Sequence, residues 1–275
     1  MQPTDRILLM LASLCIAAGC SQQTVHVFKE QALPVSVSQT EIPPLAPQPV
    51  QAVAQRYVVH SSDYRIHAHF TDHQQKIALL TFDDGPLGAT TKHILEVLDQ
   101  HNAKAIWFVN GIQLAKRHPD GSYTIKPNKA DLLLDIEKRG HLIGNHSFTH
   151  PNLRKISAEK QREEIESTSQ IIEDITGKKP LYFRPPYGAF TPVSEEVCRK
   201  NGMQSINWSV GSLDWEPRVY KKPHAISKQV SATIHPGATI LFHDRTWTAD
   251  ELDEVLTELE KKGYRFVIPT ELEPQ

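Results

Sequence analysis

Ile77-Ala78-Leu79-Leu80-Thr81-Phe82-Asp83-Asp84-Gly85 decides how this chain reads. An apolar run of this length bounded by polar residues predicts a buried strand. The two carboxylates fall at its C-terminal end, where barrel enzymes carry their chemistry. Farther along, Leu142-Ile143-Gly144 leads into His146-Ser147-Phe148-Thr149-His150, which places two imidazoles four residues apart. Two His and one Asp make a facial ligand set for a divalent metal, with positions open for water and substrate. A spare Asp beside that ligand is placed to take a proton from the water, the minimal equipment for metal-assisted hydrolysis. Each half alone is weak. In a chain with 14 His, one such pair arises by chance, and Asp-Asp-Gly is more often a turn than a ligand. Their combination, each half after a strand-like run, carries the argument.

Three more segments put polar groups just beyond apolar runs. Arg184-Pro185-Pro186-Tyr187-Gly188 follows Leu181-Tyr182-Phe183, Ser212-Leu213-Asp214-Trp215 follows Ile206-Asn207-Trp208-Ser209-Val210, and His243-Asp244 ends the run from Ala238 through Leu241-Phe242. Arg184 carries a fixed fork suited to a carboxylate. His243 has the near-neutral pKa that suits a general acid. Arg184 also reads as a structural salt bridge, and Trp215 and Leu241 as core. Zn²⁺ best suits a donor set of His146, His150 and one Asp of the pair, and Co²⁺ or Ni²⁺ suits the same set; the residues alone leave open which Asp it is.

In this order the five segments resemble the five motifs of the polysaccharide deacetylases, the NodB-homology or carbohydrate esterase family 4 enzymes, over roughly residues 76–270. The resemblance implies an α/β fold, a distorted (β/α)7 barrel whose groove takes an extended glycan. It implies Asp83 as general base, Asp84, His146 and His150 as metal ligands, and Arg184 holding Asp83 ionised. It further implies the Tyr187 backbone N–H as oxyanion donor and His243 as general acid with Asp214 fixing its tautomer. Trp215 and Leu241 line a pocket for the acetyl methyl. The implied reaction is metal-dependent removal of acetyl groups from N-acetylated sugars. Peptidoglycan N-acetylglucosamine comes first, then poly-N-acetylglucosamine and chitin oligomers, with N-acetylmuramic acid also open. An O-acetyl xylan esterase shares the same chemistry, and a non-catalytic glycan-binding lipoprotein is the alternative of another class. One motif departs: many relatives read Asp-x-x-Asp-Trp where this chain has Gly211-Ser212-Leu213-Asp214-Trp215. The missing carboxylate bears on the Arg184 network or on substrate choice.

At 275 residues the chain is long enough for one large barrel domain. A formal net charge of −2 offers no basic excess for nucleic acid. Nothing in the sequence specifies an oligomeric state. Residues 7–18 form a short apolar segment behind Arg6, ending Ala17-Ala18-Gly19-Cys20. It is too short to span a bilayer as a helix but suits a signal peptide. Residues 1–19 therefore read as a lipoprotein-type signal peptide, with Cys20 the lipidated residue that anchors the protein to a membrane, facing the periplasm or the cell exterior. Residues 20–55, rich in Pro and Gln, read as a flexible tether. Residues 56–275 read as the catalytic domain. With Cys15 removed and Cys20 lipidated, Cys198 has no disulfide partner and reads as a buried core residue.

After Lys76 the pattern alternates strand and helix, the signature of α/β units on a parallel sheet. Strands are expected at 77–82, 105–109, 142–144, 181–183, 205–210, 239–242 and 265–268. Helices are expected at 90–101, 130–139, 158–176, 192–201, 225–234 and 250–262. Ser157 and Gly177 mark the ends of the long helix, Pro192 starts another after Thr191, and Thr248 with Glu251 reads as a capping box. One or two peripheral strands are expected at 57–70, and 117–129 reads as an insertion loop. His60, His67, His69 and His73 read as a solvated face rather than a second metal site.

Overall fold

The computed structural model describes residues 56–68 and 75–274. The expected signal peptide, Cys20, the tether, His69 and His73 lie outside the described residues. In chain order the strands are β1 (Tyr57–Val59), β2 (Ile66–Ala68), β3 (Ile77–Asp83), β4 (Ala105–Val109), β5 (Ala115–Arg117), β6 (Tyr123–Ile125), β7 (Leu142–Asn145), β8 (Tyr182–Phe183), β9 (Gln204–Ser205), β10 (Val210–Gly211), β11 (Ala238–His243) and β12 (Arg265–Phe266). The helices are α1 (Ala89–Gln100), α2 (Gly111–Leu114), α3 (Pro127–Lys138), α4 (Ala158–Thr176), α5 (Pro192–Lys200), α6 (Pro217–Tyr220), α7 (Ala225–Thr233) and α8 (Thr246–Lys261).

Every residue of β3 is buried, as a strand covered on both faces requires. It pairs in parallel with β11 on one side and β4 on the other. The full path is β10-β11-β3-β4-β7-β8-β9, with β12 beside the first two residues of β3. The path curls into the distorted (β/α)7 barrel that the sequence led us to expect.

Strand periodicity sorts the side chains. Ala78, Leu80 and Phe82 join Trp107, Ile240 and Phe242 in the layer that packs against α1, α3, α7 and α8. Ile77 and Leu79 point the other way and meet Ile106, Phe108 and Tyr182 inside the barrel. The next residues on that inner face are Thr81 and Asp83. The hairpin β1–β2 is the peripheral pair expected at 57–70, and Tyr57, Val59 and Ile66 fill the inner cluster from below.

The expected strand 205–210 is two strands. β9 lies at one edge of the sheet beside β8, and β10 at the opposite edge beside β11. Residues 206–209 bridge the edges: Ile206 N donates to Phe183 O at 2.9 Å and Ser209 N to Thr239 O at 3.0 Å. A continuous apolar pattern cannot show that the chain changes neighbours midway.

Two local expectations also change. The loop at 117–129 holds an antiparallel hairpin, β5–β6, and α3 already starts at Pro127. The capping box at Thr248 does not form, because α8 begins at Thr246. Its members work elsewhere: Thr248 Oγ1 donates to Asp214 Oδ2, and Glu251 Oε2 accepts from Ile226 N and Ser227 N at the start of α7. The Ser157 cap, the left-handed Gly177 at φ 72° and Pro192 at the start of α5 are as expected, and the structure adds a Thr191–Ser194 capping box.

His141, 1% exposed, precedes β7 and accepts the Ala105 N–H on Nδ1 at 3.0 Å. Burial, aided by the Lys104 charge, pushes its pKa down to about 3. The unfolded chain takes up this proton near pH 6.5, and the folded chain refuses it. Stability from this group is therefore complete above pH 6.5 and drains as pH falls, by about 2 kcal/mol at pH 5. Chemical denaturation at pH 7.5 and pH 5 should show His141→Gln losing less stability on acidification than wild type by about this amount. Equal losses in the two proteins would refute the assignment.

Candidate active site

Asp83 ends β3 on the inner face, 2% exposed. A buried carboxylate needs a partner, and Arg184 supplies it. Its Nη1 donates to Asp83 Oδ1 at 2.8 Å and to Thr81 Oγ1 at 2.7 Å. Its Nη2 donates to Asn207 O at 2.9 Å. The guanidinium is fully buried, with its carbon 4.2 Å above the Phe108 ring. The same residue fixes a second group through its carbonyl, which accepts from His146 Nδ1 at 2.6 Å. A carbonyl can only accept, so the neutral His146 carries its proton on Nδ1. That leaves a lone pair on Nε2.

Asp84 leaves the strand with a left-handed φ of 75°, and Asp83 Oδ2 lies 3.5 Å from His146 Nε2. Asp84 Oδ1 lies 3.8 Å from His146 Nε2 and 3.6 Å from His150 Nε2. Asp84, His146 and His150 offer ligand atoms that all lie within 4.8 Å of one another, the one such group among the described residues. His146 Nε2 is buried and has no protein hydrogen bond. An orphaned lone pair facing a carboxylate and a second imidazole fits a divalent cation. Burial works against the Asp84 charge, but His146, His243, His150 and Arg245 outweigh it and hold the carboxyl below its ordinary pKa. Burial, then the neighbouring His146, lowers the His150 pKa. Both shifts favour the ligating forms.

Across the opening, His243 ends β11. Its Nδ1 sits 2.7 Å from Asp214 Oδ1, and its backbone N donates to Asp214 Oδ2 at 2.7 Å. Asp214 is completely buried and also accepts from Thr248 Oγ1 at 2.7 Å, while Trp247 Nε1 donates to its carbonyl. Burial opposes charge on His243, but the Asp214 hydrogen bond and the nearby carboxylates prevail and raise its pKa.

Asp83, Asp84, His146, His150 and His243 share one cavity of about 380 Å³, lined also by Pro185, Tyr187, Trp208, Trp215, Leu241 and Arg245, with Arg184 and Asp214 buried behind Asp83 and His243. The His150 ring meets Tyr187 edge-on at 4.7 Å, and the His243 ring meets Trp215 at 5.3 Å. Every site residue expected within the described part of the chain comes together here. A Cβ on Gly211 would lie 3.0 Å from the Trp215 ring and 3.6 Å from Trp208 Nε1. The indole thus occupies the space beside the glycine, and Arg184 keeps its three hydrogen-bond partners without a carboxylate at 211.

Sequence reasoning missed the supporting residues. Glu164 of α4 grips Thr149, accepting from its N at 2.6 Å and from its Oγ1 at 3.0 Å. Asn110 Nδ2 donates to His146 O at 2.7 Å. Arg245 Nη2 donates to Asp84 Oδ2 at 2.8 Å. Only Arg245 left a signal, its position two residues after His243.

A family model described as polysaccharide deacetylase matches residues 71–206. The peptidoglycan-N-acetylmuramic acid deacetylase PdaA of Bacillus subtilis is 33% identical over 195 residues, 70% of this chain and 70% of that protein. This chain belongs to the polysaccharide deacetylase family. Its members are hydrolases of the carbohydrate esterase 4 class, and a solved peptidoglycan N-acetylglucosamine deacetylase bound to a hydroxamate-type benzamide superposes with a TM-score of 0.63 at 31% identity, covering 74% of this chain and 91% of that one. A carbohydrate esterase 4 pseudoenzyme from Bacillus anthracis superposes with a TM-score of 0.61 at 28% identity, covering 71% and 64%. Several curated deacetylases of the family are longer, and the matched segment spans only 38% to 40% of them.

Thr248→Val keeps the volume and removes the donor to a buried carboxylate. It should lower unfolding free energy by about 1.5–3 kcal/mol, read as a shifted denaturant midpoint with an unchanged slope. A shift under half a kcal/mol would mean that the His243 N–H alone satisfies Asp214 Oδ2.

Proposed function

We propose that this protein removes N-acetyl groups from an N-acetylated glycan of the cell envelope, with peptidoglycan N-acetylglucosamine the first candidate. The observation that carries the proposal is the meeting of three assemblies on one cavity. These are the Arg184–Asp83 pair, the Asp84–His146–His150 group and the Asp214–His243 pair. Relatives named as peptidoglycan deacetylases for glucosamine and for muramic acid support the substrate class.

Asp84, His146 and His150 would hold the metal, for which Zn²⁺ suits the donors best. When bound, it would polarise the acetyl carbonyl and make its water more acidic. Asp83 acts as general base. Arg184 occupies Oδ1, leaving Oδ2 to accept the proton of the attacking water. The Tyr187 backbone N–H stabilises charge growing on the carbonyl oxygen. As the C–N bond breaks, His243 gives a proton to the departing nitrogen from Nε2, because Asp214 occupies Nδ1. Acetate and a free amine leave. Trp215 and Leu241 enclose the acetyl methyl.

The complete set favours catalysis over a binding-only role. No helix among the described residues is long and apolar enough to cross a membrane. Envelope location is part of the same proposal and rests on the apolar segment at 7–18, Cys20 and the Pro-rich stretch to residue 55.

The test is acetate release by the full chain from N-acetylglucosamine oligomers, peptidoglycan and acetylated xylan, with Zn²⁺ and after chelation. Release from the first two, abolished by chelator and lowered about 10²–10⁴-fold in Asp83→Asn, is expected. Release from xylan alone would reassign the protein as an O-acetyl esterase. Glycan binding without release, equal in wild type and Asp83→Asn, would reassign it as a binding protein.

A further inference from the structure

Among the residues that line the cavity, Arg245 is the one Lys or Arg. It belongs to none of the five motif segments read from the sequence. Its Nη2 lies 2.8 Å from Asp84 Oδ2, and Asp84 is the carboxylate paired with it among the described residues. Asp84 Oδ1 is the oxygen that approaches His146 Nε2 and His150 Nε2. The two oxygens are thus divided between an arginine and the histidine pair.

We propose that Arg245 is a positioning residue for the Asp84 carboxylate, holding Oδ2 so that Oδ1 alone faces the space between the two imidazoles. The proposal rests on the reading of Asp84, His146 and His150 as a metal site.

The backbone of Asp84 does not fix its side chain. It sits beyond the strand at a left-handed φ of 75°, a conformation that costs energy in a non-glycine residue. Its own N–H is spent on Phe108 O at 3.1 Å. Arg245 donates the hydrogen bond that its side chain accepts from the described residues. Arg245 in turn is well anchored. It is the extended residue before α8, and its N donates to His243 O at 2.8 Å.

Arg245 also brings a positive charge toward a cation site, which opposes metal binding. The two effects have opposite signs. The guanidinium is 36% exposed, so water and salt weaken its repulsion at range. The hydrogen bond to Asp84 is direct and charge-assisted. Orientation therefore outweighs repulsion, and removing Arg245 should weaken metal binding.

The experiment is calorimetric titration of Zn²⁺ into the metal-free full chain, comparing wild type, Arg245→Gln, Arg245→Lys and Asp84→Asn. Arg245→Gln should bind Zn²⁺ about 10–100-fold more weakly, the usual cost of losing a partner behind a ligand. Its kcat should fall more than its KM changes. Arg245→Lys should recover part of the affinity, because it restores the charge without the fork. Melting of the metal-free variants should match wild type, since the side chain is not core. Unchanged or tighter Zn²⁺ binding by Arg245→Gln would overturn the proposal, as would a fall in melting temperature with normal affinity. Failure of the underlying site reading looks different: Asp84→Asn would then bind Zn²⁺ as tightly as wild type.

Discussion

The buried guanidinium of Arg184 is the interaction on which the site depends. Taking a charge wholly out of water costs several kcal/mol unless partners surround it. Thr81, Asp83 and the Asn207 carbonyl supply them at the two Nη atoms and the Phe108 ring covers one face, while Nε keeps no hydrogen-bond partner among the described residues. Because these come from β3, β4 and the 206–209 bridge, the charge is compensated only when the barrel interior is assembled. The Arg184 carbonyl then sets the tautomer of His146. One residue therefore holds the Asp83 carboxylate through its side chain and the His146 ring through its backbone.

Adjacent carboxylates on a strand would repel each other if they pointed the same way. Here both approach His146 Nε2, Asp83 Oδ2 at 3.5 Å and Asp84 Oδ1 at 3.8 Å, and each is offset by its own arginine. Asp83 has the buried Arg184, and Asp84 has the half-exposed Arg245. Two chemically identical side chains thus sit in two different environments, one deeply buried and one partly open to the cavity. The Asp214–His243 pair repeats the design with a hydroxyl, Thr248, and an indole, Trp247, as the outer supports.

The ends of the central strands were legible in sequence because function is written there in rare residue types. Asp-Asp after an apolar run and His-x-x-x-His after another place the main groups, and the remaining motifs follow in order. The supports were not legible. Glu164 and Asn110 are ordinary polar residues in a helix and after a strand, and only folding brings them to Thr149 and His146. Thr248 resembled a helix cap because a hydroxyl can accept a backbone N–H as a cap or donate to a carboxylate, and tertiary contact selected donation to Asp214. The split of 205–210 was hidden for a similar reason. Hydrophobic pattern records which residues are buried, not which neighbour buries them.

The pairing of β3 with β11 governs how the molecule comes into being. β3 forms early in the chain, yet the carbonyl that accepts its Thr81 hydroxyl belongs to Ile240, 159 positions later. Bringing such distant segments together costs loop entropy before any contact repays it, so folding is expected to be slow and to finish late. Until β11 docks, the central strand has one open side, and the His243 side of the cavity does not exist. The candidate site is thus complete only in the finished barrel, and no leading portion of the chain can hold it in advance.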